Sequence, residues 1–93
     1  MPYRVRLAKA ARRRLRRVPR YVVDKLEAWI EMVETDGLRE AQRIPGYHDE
    51  PLKGARTGQR SIRLSRQWRA MYEVQSDGEI DVVLVQEVTP HDY

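Results

Sequence analysis

The sequence predicts an α+β fold: a mainly antiparallel sheet with helices packed on one face, in the order β-α-α-β-β-β. Three observations predict it. Apolar residues at helical spacing are confined to the first half of the chain. Alternating or continuous apolar runs dominate residues 60–88. Helices and strands therefore come in blocks after one short opening strand, unlike the strict alternation that builds a parallel sheet.

Each element has its own signal. Tyr3-Arg4-Val5-Arg6-Leu7 alternates and reads as a strand belonging to the same sheet as the later ones. From Ala8 to Val18 a helix is expected. Leu7, Ala11, Leu15 and Val18 make a narrow apolar stripe, and Arg12, Arg13, Arg14, Arg16 and Arg17 cover the rest. Pro19 ends that helix and suits the start of the next. Over Arg20 to Thr35, Val22, Leu26, Trp29, Ile30 and Val33 recur at helical spacing, with Asp24, Glu27, Glu31 and Glu34 among them. Asp36-Gly37 punctuates, and Leu38 to Ile44 suits one more short helical turn. The stretch from Pro45 to Gly58 is loop by composition. Arg60 to Ser65 alternates as a strand, with Ile62 and Leu64 on one face and Ser61, Arg63 and Ser65 on the other. A tight Arg66-Gln67 turn leads to a strand from Trp68 to Val74, and Ser76-Asp77-Gly78 signals a hairpin. Ile80 to Val88 is nearly all apolar in its middle, as in a central strand covered on both faces.

With 93 residues, the chain is expected to form one domain, residues 1–93. No cysteine is present, which excludes a disulfide framework and a thiolate nucleophile or metal ligand. No apolar run approaches the roughly 20 residues of a membrane span. The basic N-terminus is not followed by the apolar stretch of a signal peptide, so the expected compartment is the cytoplasm.

Charge falls into blocks. Residues 1–20 hold nine Arg or Lys and no acid; residues 21–50 hold three bases and eight acids. Residues 51–70 hold six bases and no acid, and residues 71–93 hold six acids and no base. Such blocks suggest separate surfaces for separate partners.

The second basic block, Lys53, Arg56, Arg60, Arg63, Arg66 and Arg69, is the first candidate site. The guanidinium group is a planar fork of donors matched to phosphate, so the block suits a polyanion, RNA above all. The plain alternative is a solvated sheet edge charged against aggregation. The arginine-rich helix is a second candidate, either for phosphate or for an acidic partner; ion pairing with the acidic second helix is the plain alternative. The C-terminal His91-Asp92-Tyr93 is a third. Histidine titrates near neutral pH and suits proton transfer, and tyrosine donates a proton or stacks on a base. A frayed tail is the alternative there. His48 lies in a polar loop and either joins the site or is an ordinary loop histidine.

Other chemistries lack their residues. There is no phosphate loop ending in Lys-Ser/Thr, no nucleophile motif, and two isolated histidines do not make a zinc site. No cofactor is expected. Positive charge plus one or two proton-transfer groups suits RNA cleavage by its own 2′-hydroxyl. A base takes the 2′ proton, cations stabilise the phosphorane, and an acid protonates the 5′ leaving oxygen.

The run Pro51-Leu52-Lys53-Gly54-Ala55-Arg56-Thr57-Gly58-Gln59-Arg60-Ser61-Ile62-Arg63-Leu64-Ser65-Arg66-Gln67-Trp68-Arg69-Ala70-Met71-Tyr72 resembles the core signature of HigB-type toxins of the RelE/ParE superfamily. Glu87-Val88-Thr89-Pro90-His91-Asp92-Tyr93 resembles their C-terminal ending, and the element order agrees along the whole length. The resemblance implies the toxin of a type II toxin–antitoxin system. Such toxins are endoribonucleases that cleave mRNA in the ribosomal A site, on the 30S subunit, without a metal. A helix-turn-helix antitoxin of the HigA kind neutralises them. By position, Lys53, Arg56, Arg63 and Arg69 would contact RNA or stabilise the transition state, with Arg60 and Arg66 beside them. His91 and Tyr93 would transfer protons or stack on a base, with Asp92 orienting. The match has departures. Some members carry a histidine directly before the Pro-Leu-Lys-Gly motif, where this chain has Glu50 and places His48 two residues earlier. Some end Asp-Tyr-His, where this chain ends His-Asp-Tyr.

Two other functions share these features. The superfamily includes gyrase poisons of the ParE type, and fold alone does not choose between targets. A catalytically inactive RNA-binding module is the other. Which of His48, His91 and Tyr93 moves protons stays open in the sequence.

Overall fold

A computed structural model of the chain describes residues 3–76 and 81–90. It holds a five-stranded sheet in the order β1-β5-β4-β3-β2. The strands are β1 (Tyr3–Leu7), β2 (Glu50–Pro51), β3 (Arg60–Arg63), β4 (Trp68–Ser76) and β5 (Asp81–Pro90). The helices are α1 (Lys9–Leu15), α2 (Arg20–Asp36) and α3 (Leu38–Gln42), with single 3₁₀ turns at Pro45–Tyr47 and Gly54–Arg56. All pairings are antiparallel except β1 with β5. The predicted α+β architecture is present, α3 forms where one more short helical turn was expected, and the one short added strand is β2, inside the segment expected to be loop.

The helical stripe and the strand alternation build one core. Val22, Leu26, Trp29 and Val33 of α2 are fully buried. They meet Ile62, Ala70, Tyr72, Val83, Val85 and Val88 from one face of the sheet. The Trp29 and Tyr72 rings lie 5.1 Å apart, tilted by 49°. β5 is central, between β1 and β4, as its apolar run predicted. Cover on its second face is partial: Val82 is buried but Leu84 is half-exposed.

Several boundaries shift for local reasons. α1 ends at Leu15 rather than Val18, because Arg16 and Arg17 donate to Arg13 and Arg14 in a tightened last turn. β3 ends at Arg63 rather than Ser65. The Leu64 and Ser65 N–H groups both donate to the Trp68 carbonyl, and Ser65 Oγ accepts from the N–H groups of Gln67 and Trp68. That closes the 64–67 connection as a side-chain-braced turn. α2 runs into α3 through Gly37 at φ 98°, a backbone conformation glycine reaches without steric cost. The hairpin predicted at Ser76-Asp77-Gly78 falls, apart from Ser76, outside the described residues.

One irregularity sits in the β4–β5 ladder. Met71 faces Glu87, but Tyr72 faces Val85, so Gln86 is an extra residue in β5. The bulge lets both Val85 and Val88 reach the core, while Glu87 turns to the far face. At the other edge of the sheet, the Val5 N–H donates to Glu34 Oε2 at 3.0 Å, which occupies a backbone donor of the outermost strand.

Candidate active site on the open face of the sheet

The register defines what stands on the face away from the helices. Ile62 pairs with Ala70, and both are core residues. Their neighbours Arg63 and Arg69, themselves a cross-strand pair, therefore point to the opposite face, with Thr89 across from Arg69. The next row across the sheet is Glu50, Ser61, Met71 and Glu87. A row of two cations thus runs beside a row that begins and ends with carboxylates.

At the β2 end the two rows close on a shallow notch of about 20 Å³, lined by His48, Glu50, Ser61, Ile62, Arg63 and Arg69. That is room for roughly one water-sized group. His48 Nε2 lies 3.5 Å from Glu50 Oε2. Arg63 is exposed, whereas Arg69 is half-buried, and its Nε is buried with no hydrogen-bond partner among the described residues. The Nε itself is closed to solvent, so an incoming acceptor would meet the outer nitrogens of the half-buried Arg69 guanidinium and those of Arg63. A phosphate oxygen has the right chemistry.

The notch is held from behind. His48 sits at φ 46°, the only described non-glycine residue with a left-handed backbone. Asp49, between His48 and Glu50, turns the other way, and its carboxylate is fully buried. Arg60 Nε donates to Asp49 Oδ1 at 2.6 Å, and the Tyr72 hydroxyl donates to Asp49 Oδ2 at 2.6 Å. Gln42 Nε2 at the end of α3 donates to the Tyr72 oxygen at 3.1 Å. Four elements or their flanks are thereby tied to one carboxylate. Burial disfavours the Arg60 charge, but the hydrogen bond and the charge of Asp49 outweigh it and raise the guanidinium pKa.

Burial, followed by the hydrogen bond to Asp49, pushes the Tyr72 phenol well above its ordinary value of 10.0. A pKa raised on folding adds stability that is complete below the unfolded value and disappears as pH rises through the folded one. The unfolding free energy is therefore expected to fall above about pH 10, and to fall less steeply in Tyr72→Phe. Urea titrations of both proteins across alkaline pH would show this, and parallel curves would refute it. Near neutral pH, Tyr72→Phe should cost about 1–3 kcal/mol, since it strips one donor from a buried carboxylate.

The second basic block is not gathered on one face of the sheet. Arg63 and Arg69 are together on the open face. Arg60, two residues before Ile62, shares its core-side face and is held by Asp49. Arg56 is bound by Glu87 Oε2 at 2.7 Å and by Gln59 Oε1 at 3.0 Å. Lys53 is exposed before the 3₁₀ turn, and Arg66 is exposed in the 64–67 connection. The acid-free count of the sequence is thus partly undone in space, because Asp49 and Glu87 come from other segments. Glu50, which sequence reasoning noted only as a departure from a motif, lies in the notch with the cations. Its signal was available: it is two residues from His48, and the pair flanks an acid in a polar loop. His91, Asp92 and Tyr93 lie outside the described residues. The plain alternative for the arginine-rich helix, ion pairing with α2, is not found among the described residues; Arg14 stacks over Trp68 at 5.6 Å.

Among the described residues no cluster of His, Cys, Asp or Glu could hold a metal ion. No described helix is long and apolar enough to cross a membrane.

Solved structures with the same arrangement exist. A chain of the RelBE2 toxin–antitoxin complex of Mycobacterium tuberculosis matches with a TM-score of 0.69 and 24% identity, over 98% of this chain and 100% of that one. YafQ of Escherichia coli matches with a TM-score of 0.73 and 13% identity, over 96% and 93% of the two chains. The chain has the fold of these toxins. A YoeB/ParE toxin of Agrobacterium tumefaciens shares the RelE-type fold as well, with a TM-score of 0.65 and 23% identity over 96% and 99%. The near-complete coverage on both sides means that the RelE-type fold accounts for nearly all of this chain. No protein-family model matches the sequence, and no curated protein does.

Proposed function

We propose that this chain is the toxin of a type II toxin–antitoxin system, of HigB type, and that residues 1–93 act as one endoribonuclease domain. Its substrate is mRNA in the ribosomal A site, and its antitoxin is a helix-turn-helix protein of the HigA kind. The observation that carries the reading is the notch, where a carboxylate–imidazole pair faces two arginines on the open side of the sheet. RNA cleavage by its own 2′-hydroxyl needs a base and cations, which that set supplies, together with an acid for the leaving oxygen, and it needs no metal.

The roles follow from charge and position. Glu50, or His48 paired with it, takes the 2′ proton. The 2′ oxygen attacks phosphorus and the bond to the 5′ oxygen breaks, leaving a 2′,3′-cyclic phosphate. Arg63 and Arg69 stabilise the charge that builds on the phosphoryl oxygens. An acid protonates the departing 5′ oxygen; His91 and Tyr93 are the residues proposed for it, with Asp92 orienting. Lys53, Arg56 and Arg66 hold the RNA backbone. Arg60 serves the fold through Asp49.

The test uses ribosomes loaded with a defined mRNA. Cleavage is expected to leave a cyclic phosphate and to vanish when the nucleotide 5′ of the cut is 2′-deoxy. Arg63→Ala with Arg69→Ala should lower the cleavage rate by about 10²–10³. Cutting of the deoxy substrate would defeat the mechanism. Arrest of DNA replication before any loss of translation on expression would favour the gyrase reading instead.

A further inference from the structure

We infer that α1 carries a second RNA-docking surface, formed by Lys9, Arg12, Arg13 and Arg16, that grips the phosphate backbone of folded RNA. The inference takes its partner class from the endoribonuclease reading, but its geometry is independent of the notch. These four residues recur at i, i+3, i+4 and i+7, the spacing of one helix face, with neighbours about 5–6 Å apart. The other face of α1 is spent on the core, where Ala11 is fully buried and Leu15 is half-buried.

All four cations are exposed, and together they line one concave depression of about 290 Å³. Arg12 also borders a second hollow of about 540 Å³, with Arg6 of β1 and Gln75 of β4. No acid neutralises the four among the described residues. Elsewhere on the molecule arginines do find acids: Arg20 with Asp24, Arg43 with Glu40, Arg56 with Glu87, and Arg60 with Asp49. Like charges three and four residues apart on a helix repel, so an unneutralised row is destabilising unless something binds it.

The lining favours nucleic acid over a protein partner. A protein interface keeps charge at its rim and apolar or aromatic side chains at its centre. This depression is lined by cations alone. Backbone phosphates need nothing more, because contacts to them fix position and carry no sequence information. α1 packs over β5 on the helix-covered side, and its Ala8 N–H donates to the Val85 carbonyl. Arg63 and Arg69 stand on the opposite side of the sheet. Arg12 reaches round the β1 end to the open face through its hollow with Arg6 and Gln75, while Lys9, Arg13 and Arg16 stay with the helix-side depression, so the α1 surface suits a length of RNA beyond the strand in the notch, as folded RNA around a bound mRNA would supply.

The experiment measures binding of the full chain to a short fluorescent RNA duplex between about 50 and 200 mM salt. The quadruple variant K9Q/R12Q/R13Q/R16Q is expected to bind about tenfold more weakly or worse, and to lower the slope of log affinity against log salt by about 3. R12K/R13K/R16K keeps the charge and should keep most of the binding, which separates lost contacts from lost folding. R63Q/R69Q should lose cleavage and retain the duplex slope. Unchanged affinity and slope in the quadruple variant would overturn the inference. So would a quadruple variant that loses binding to poly-glutamate while still binding the duplex, since that marks an acidic protein as the partner. The endoribonuclease reading stands or falls separately, on the deoxy substrate.

Discussion

Asp49→Ala is expected to cost about 3–5 kcal/mol of folding stability, a large share of what a chain of this size has. The side chain is fully buried and carries two short hydrogen bonds from Arg60 and Tyr72. Removing it leaves the buried Tyr72 phenol and the partly exposed Arg60 guanidinium aimed at a vacated site, and the loss of a fully buried acceptor from both is what makes breaking this cluster costly. Asp49→Asn keeps the shape and one acceptor, so it should fall between wild type and Ala. The loss should also reach the site, because His48 and Glu50 flank Asp49 in the chain. In Asp49→Asn the cleavage rate should drop while RNA affinity holds, since Arg63 and Arg69 stand on other strands. Urea unfolding and single-turnover cleavage measure the two effects. An Ala variant within about 1 kcal/mol of wild type would show that the pair is ornamental.

The second large effect concerns proton transfer. Glu50→Gln is expected to lower single-turnover cleavage by about 10²–10⁴, the usual contribution of a placed general base. His48→Gln should lower it too, by less if the imidazole only orients the carboxylate. Gln conserves size at Glu50, and the position is exposed on an edge strand, so stability should change little. His91→Ala with Tyr93→Ala tests the acid side of the reaction. If Glu50→Gln and His48→Gln cleave at the wild-type rate while the tail variant is inactive, the base lies in the tail and the notch only binds. If the tail variant is active and the notch variants are dead, both protons pass through the notch.

Much of the fold could be read from the residues. The α2 stripe named its buried side chains, because helical spacing leaves Val22, Leu26, Trp29 and Val33 no other face to occupy. Alternation in β3 separated Ile62 from Arg63 correctly. The same rule, extended two residues back, puts Arg60 with Ile62. Its partner could not be read, since Asp49 lies eleven residues away and the Tyr72 and Gln42 that complete the cluster come from β4 and α3. β2 is only two residues and has no pattern of its own; it exists because β3 offers it an edge. Glu50 became a candidate site residue only when that pairing put it in one row with Ser61. Charge blocks misled for a related reason. They count neighbours in sequence, whereas Arg56 meets Glu87 across thirty-one positions.

Gln86 has a property shared by no other residue of β5. Its neighbours Val85 and Glu87 face consecutive residues of β4, so the strand without Gln86 keeps every cross-strand partner it has now. What the extra residue adds is local twist. Beyond it lie Thr89, opposite Arg69, and the peptide that leads to the C-terminal tripeptide. Pairing and aim are therefore separable in this strand. A one-residue change in chain length at this point would swivel the end of β5 against the cation row and leave the ladder unaltered. Such a position lets a lineage tune how a substrate is presented without reopening the question of how the protein folds.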